Sequence, residues 1–115
     1  MALTTLSKLD PKAIREQLSL PQEKISSILK ISVKTLSRAE KEGRSLKDSD
    51  VRLRLAKLNE IADLGQMVYT KAGLSEFLIT PLPIFDNRTA LDLMLIGDYD
   101  RVISALAADY EGLGY

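Results

Sequence analysis

Ile25-Ser26-Ser27-Ile28-Leu29-Lys30-Ile31-Ser32-Val33-Lys34-Thr35-Leu36-Ser37-Arg38-Ala39 is the stretch whose spacing decides the fold. Ile25, Ile28 and Leu29 recur at helical intervals and form an apolar stripe, with Gln22, Glu23, Ser26 and Ser27 on the exposed side. Lys30-Ile31 interrupts the run, and Ser32 is placed to cap a following helix over Val33 to Glu42, closed by Gly43 in a left-handed conformation. Ile25, Leu29, Ile31, Leu36 and Ala39 fall where two helices joined by a tight turn need a shared core, and Ser26 is small where they cross.

Side chains left outside that core carry the chemistry. Ser32, Lys34, Thr35, Ser37, Arg38, Lys41 and Arg44 are donors suited to phosphate oxygens and base edges, which marks the second helix as a candidate DNA-reading helix. The segment from about Pro11 to Lys57 resembles the Xre-type helix-turn-helix of bacterial and phage regulators. Lys30 departs from that pattern, because many such turns carry glycine, which adopts a left-handed backbone without steric cost. A basic helical hairpin that binds no DNA is the alternative reading.

Working outward, Asp10-Pro11 opens a first helix over about Pro11 to Leu18 with Ile14 and Leu18 on one face, and Pro21 restarts the chain into the helix that ends at Leu29. A long helix is expected from Asp48 to Asp50 as far as Tyr69, with Val51, Leu55, Leu58, Ala62 and Met67 on its buried face. Leu74 to Ile79 reads as a short apolar segment. Thr80-Pro81-Leu82-Pro83 then predicts an extended, non-helical connection. Two final helices are expected, over Thr89 to Ile96 with Gly97 as its stop, and from Asp98 or Asp100 to about Gly112 with Val102, Ile103, Leu106 and Ala107 inward. The fold class is all-α, with two regions, 1–57 and 58–115.

Composition narrows the function. The 115 residues include no Cys and no His, which excludes disulfides, thiolate chemistry, imidazole base catalysis and the usual zinc sites. No catalytic residues, no metal and no cofactor are expected. Asp92, Asp98, Asp100, Asp109 and Glu111 are explained by capping and solvation. The start lacks the apolar core of a secretory signal and no apolar run approaches the roughly 18 residues of a membrane span, so a cytoplasmic protein without membrane contact is expected. Net charge is zero but segregated: residues 1–57 hold 13 Lys and Arg against 7 Asp and Glu, a net of +6, and residues 58–115 hold 3 against 9, a net of −6. The two halves either serve two partners, a polyanion for the first, or neutralise each other.

A wider resemblance covers nearly the whole chain. Ser37-Arg38 through Glu42-Gly43, Leu46, Arg52 to Leu58, Phe77-Leu78, Asn87-Arg88-Thr89-Ala90-Leu91-Asp92-Leu93 and Gly97 to Val102, in that order, resemble the MbcA/ParS/Xre antitoxin family. Phe77 stands where that family has tryptophan, Asn87 where it has glycine, and Ala90 where it has proline. The resemblance implies the antitoxin of a type II toxin–antitoxin pair, whose partner is a RES-domain toxin that consumes NAD and whose first half binds operator DNA to repress its own operon. It also implies a terminal segment, Tyr110-Glu111-Gly112-Leu113-Gly114-Tyr115, that reaches into or beside the toxin's active site, with Arg88 either touching the toxin or closing a local ion pair. Operator reading by one such motif covers few base pairs, so a homodimer on a palindrome is expected. A stand-alone transcription regulator with a dimerising second half is the alternative.

Overall fold

A computed structural model describes residues 9–44 and 46–113, the side chain of Leu113 excepted. Its described residues form seven α-helices, one 3₁₀ turn and no named strand: α1 (Pro11–Leu18), α2 (Gln22–Leu29), α3 (Val33–Glu42), α4 (Ser49–Val68), α5 (Lys71–Ile79), the 3₁₀ turn Pro83–Phe85, α6 (Ala90–Leu95) and α7 (Tyr99–Leu113). The expected all-α class is the class observed. Two compact units divide the chain, residues 1–59 and residues 60–115.

In the first unit, three short helices are ended by backbone geometry rather than by running out of helix-forming residues. The Asp10 side chain accepts a hydrogen bond from the Lys12 amide at 3.0 Å to start α1. Ser19 stops it at φ 55°. Lys30 ends α2 at φ 61°, the left-handed position inferred from the sequence, and the Ile31 amide reaches back to the Ser26 carbonyl at 3.0 Å. A non-glycine residue in that region is strained by about 1 kcal/mol, so tertiary packing holds the turn. The packing is visible: Ile14, Leu18, Ile25, Ile28, Leu29, Leu36, Leu55 and Leu58 are all at most 3% exposed, each contributing about 1.5–3 kcal/mol on burial. Ser26 is buried as the close crossing requires, not exposed, and its hydroxyl donates to the Glu23 carbonyl at 2.9 Å. Ile31, expected in the core, is only half-buried.

The second unit corrects the sequence reading in four places. Leu74 to Ile79 is the end of a full helix, α5, which starts at Lys71 because the Thr70 hydroxyl caps it, accepting from the Gly73 amide at 3.0 Å. Pro83 does not extend the chain. It occupies the first position of a 3₁₀ turn, where its missing N–H is not needed. Met67 is 59% exposed because the buried stripe of α4 shifts to Ile61, Ala62 and Gly65. On α7 the inward residues are Tyr99, Val102, Ala105 and Leu106, with Ile103 and Ala107 at its edges. Phe85 anchors this unit at 1% exposure; its ring lies edge-on to Phe77 at 6.2 Å, and Phe77 stacks on Tyr69 at 5.4 Å.

Candidate functional site

The first candidate surface is the outward side of α3. Ser32 caps the helix, its Oγ accepting from the Thr35 amide at 3.0 Å and donating to Thr35 Oγ1 at 2.9 Å. Lys34, Thr35, Arg38 and Lys41 are exposed, Ser37 is half-buried, and Arg44 follows the helix with its guanidinium 2.7 Å from Glu42. All seven residues named from the sequence therefore lie on α3 or within two residues of it. Thr35, Arg38, Glu42 and Arg44 line an open groove of about 790 Å³ with Lys47, which sequence reasoning passed over because it belongs to no periodic element.

What positions α3 was not visible in the sequence. Glu40, on the inner side of the helix with only 6% of its side chain exposed, receives Arg15 Nε at 2.8 Å and Nη2 at 2.9 Å from α1 and Gln22 Nε2 at 3.0 Å from α2. Arg15 also donates to the Leu20 carbonyl at 3.3 Å. One carboxylate thus fixes all three helices. The hydrogen bond from Arg15 holds the Glu40 carboxyl below the usual glutamate range, against the opposing effect of burial, and Gln22 lowers it further. Gln22, expected on the exposed side, is half-buried for this reason.

In the second unit, the candidate residues separate. Arg88 is exposed and forms no ion pair among the described residues; its backbone pairs with Leu82, whose amide donates to the Arg88 carbonyl at 3.1 Å. The local ion pair anticipated there belongs instead to Arg101, which donates to the Ile84 carbonyl at 2.9 Å, approaches Asp86 at 3.4 Å and Asp98 at 3.8 Å, and lies 6.0 Å from the centre of the Phe85 ring. Arg101 thereby staples the 3₁₀ turn to α7. Asp86 and Asn87 are both left-handed, at φ 57° and 64°, so Asn87 adopts the conformation that glycine would. Ala90 is the first residue of α6, and Thr89 and Asp92 close a reciprocal capping box at 2.9 and 3.0 Å.

Tyr110, Gly112 and Leu113 lie within α7, so this part of the anticipated tail is helical rather than a loose end; Gly114 and Tyr115 lie outside the described residues. Tyr110 is 49% exposed. A shallow apolar groove of about 320 Å³ runs beside Ile84, Phe85, Arg101, Ala105 and Ala108. Among the described residues no cluster of three or more acidic side chains could hold a metal ion, and no helix is long and apolar enough to cross a membrane.

No protein-family description matches the sequence, and no curated protein matches it. Solved structures do match. A chain of the crystal structure of the M. tuberculosis MbcT-MbcA toxin-antitoxin complex superposes with a TM-score of 0.76, covering 95% of this chain and 96% of that chain at 24% identity. The fold is shared with a component of that complex.

Proposed function

We propose that this protein is an antitoxin that sequesters a RES-domain, NAD-consuming toxin through its second unit and represses its own operon through α3. The observation that carries the reading is the fold likeness over 95% of the chain to a component of a toxin–antitoxin complex. Three features support it. The chain has no His and no Cys, in keeping with a binding rather than a catalytic role. Its basic residues concentrate in the half that contains α3 and its acidic residues in the other. The donors on α3 other than Ser37 are exposed, while its inner face is locked by Glu40.

On this reading Ser32, Lys34, Thr35, Ser37, Arg38, Lys41 and Arg44 meet DNA, and Arg88, Tyr110, Gly112 and the residues after it meet the toxin. A homodimer places two copies of α3 on the half-sites of a palindrome. Co-expression with the product of the neighbouring reading frame tests the core of the proposal. Restored growth, restored cellular NAD and a co-purifying complex are the expected results. Absence of both toxicity and complex would overturn the antitoxin role and leave a stand-alone regulator.

A further inference from the structure

Ile84 is the middle residue of the 3₁₀ turn and is 64% exposed, whereas its neighbour Phe85 is buried. The turn is braced around it. Arg101 donates to the Ile84 carbonyl at 2.9 Å, the backbones of Leu82 and Arg88 pair across the turn, and the buried Phe85 ring anchors it in the core. A branched apolar side chain is thus held in water by a fixed backbone, so little ordering cost remains when a partner covers it.

Space for such a partner lies beside it. Ile84 lines the apolar groove of about 320 Å³ together with Ser104, Ala105 and Ala108 of α7, whose small side chains leave the room. Single exposed apolar residues are ordinary on protein surfaces, but one standing at the edge of an apolar concavity marks a contact site.

Charge decides what fits. Asp86 and Asp98 approach Arg101 at 3.4 and 3.8 Å, and Asp100 lines the groove, so three carboxylates stand at its edge with one guanidinium. Carboxylates remain in excess even with Arg88 counted. The whole unit, residues 60–115, holds nine Asp and Glu against three Lys and Arg, a net of −6. A second copy of this unit would bring the same sign to the contact, and a nucleic acid is also an anion, so both are repelled. An apolar side chain carried between basic residues is attracted and fills the groove.

We infer that this groove is the docking site for a segment of the partner toxin in which an apolar side chain is flanked by Lys or Arg, with Ile84 as its anchor. The inference rests on the antitoxin reading, and the test separates the two. The product of the neighbouring reading frame is captured on a sensor, and its affinity is measured at several salt concentrations for the natural full chain, Ile84→Ser, Ala108→Gln, Asp86→Asn and Ile96→Ser. All four substituted positions are exposed, and asparagine tolerates the left-handed φ of 57° at position 86. Ile96, 62% exposed and not among the groove residues, is the control.

Ile84→Ser and Ala108→Gln are expected to weaken binding about 30-fold, the loss that marks an anchoring residue, while Ile96→Ser changes it less than about twofold. Asp86→Asn should weaken binding and flatten its dependence on salt. Binding of natural strength by Ile84→Ser and Ala108→Gln overturns the groove as the docking site while the antitoxin reading stands. Tighter binding by Asp86→Asn overturns the basic character of the partner segment. A natural chain that dimerises alone in sedimentation equilibrium and becomes monomeric as Ile84→Ser would give the groove to a second copy instead. No binding by the natural chain overturns the antitoxin reading and this inference together.

Discussion

The guanidinium of Arg15 grips the carboxylate of Glu40 through two hydrogen bonds of 2.8 and 2.9 Å, although the residues stand 25 positions apart on different helices. Removing the carboxylate strands a guanidinium that is only about one-fifth exposed and frees Gln22 as well. Glu40→Ala is expected to lower stability by about 1.5–3 kcal/mol, the range for hydrogen bonds to charged groups. Urea unfolding of the two proteins checks it. A loss below a few tenths of a kcal/mol would mean that hydrophobic packing alone fixes α3.

The same pair predicts an acid response. Because the folded Glu40 carboxyl titrates below its ordinary value of 4.5, its contribution to stability is complete above that value and disappears as pH falls through the lowered one. Thermal melts of the natural protein should lose stability in this acid window more steeply than melts of Glu40→Gln. Parallel curves would show that other carboxylates dominate.

At the alkaline end the sign reverses. Burial, with help from Asp109 at 3.2 Å, raises the Tyr69 phenol above its ordinary 10.0. Its contribution is present below 10.0 and is lost as pH rises through the raised value. Ultraviolet titration should show one late phenol that is missing in Tyr69→Phe. If the phenol missing from Tyr69→Phe is instead one that ionises early, the Tyr69 hydroxyl is freely solvated.

Gly65 is fixed by contact rather than by conformation. A Cβ there would lie 2.6 Å from Leu74 Cδ1, so α4 and α5 approach each other through the missing side chain. Gly65→Val is expected to destabilise by about 1–3 kcal/mol through overpacking, and Leu74→Ala in the same chain should recover part of the loss. A neutral Gly65→Val would show that the two helices separate freely.

On the outward surface of α3, Lys34→Ala is expected to weaken binding to all DNA sequences alike and to reduce the slope of affinity against salt by about one. Arg38→Ala should abolish operator binding. Electrophoretic mobility shifts at several salt concentrations distinguish the two effects, and a Lys34→Ala protein with an unchanged salt slope would remove Lys34 from the phosphate contacts.

Much of this molecule was legible beforehand because its helix ends are written in short-range signals. Asp10-Pro11 and Ser32 with Gly43 each specify a cap within a few residues, and the structure puts caps at those positions. Lys30 was readable as a left-handed turn for the same reason. Long-range facts were hidden. No local pattern joins Arg15 to Glu40, and the cap at Thr70 was obscured by Gly73, which looks like a loop residue until the space beside it is seen. The Arg101 staple was hidden for the same reason, since its partners Ile84 and Asp86 lie 17 and 15 residues away along the chain.

Helices linked by short turns have a consequence for how quickly this chain reaches its native form. Most bonds at the turns and helix ends close over only three to five residues, whereas the ties from Arg15 to Glu40 and from Tyr69 to Asp109 reach 25 and 40 residues along the chain. Little loop entropy must be lost before the local contacts form, and helical domains fold in microseconds to milliseconds. Synthesis adds only about 5–20 residues each second. The first unit can therefore finish folding while the second is still being made, and release from the ribosome, not folding, sets when the protein becomes available.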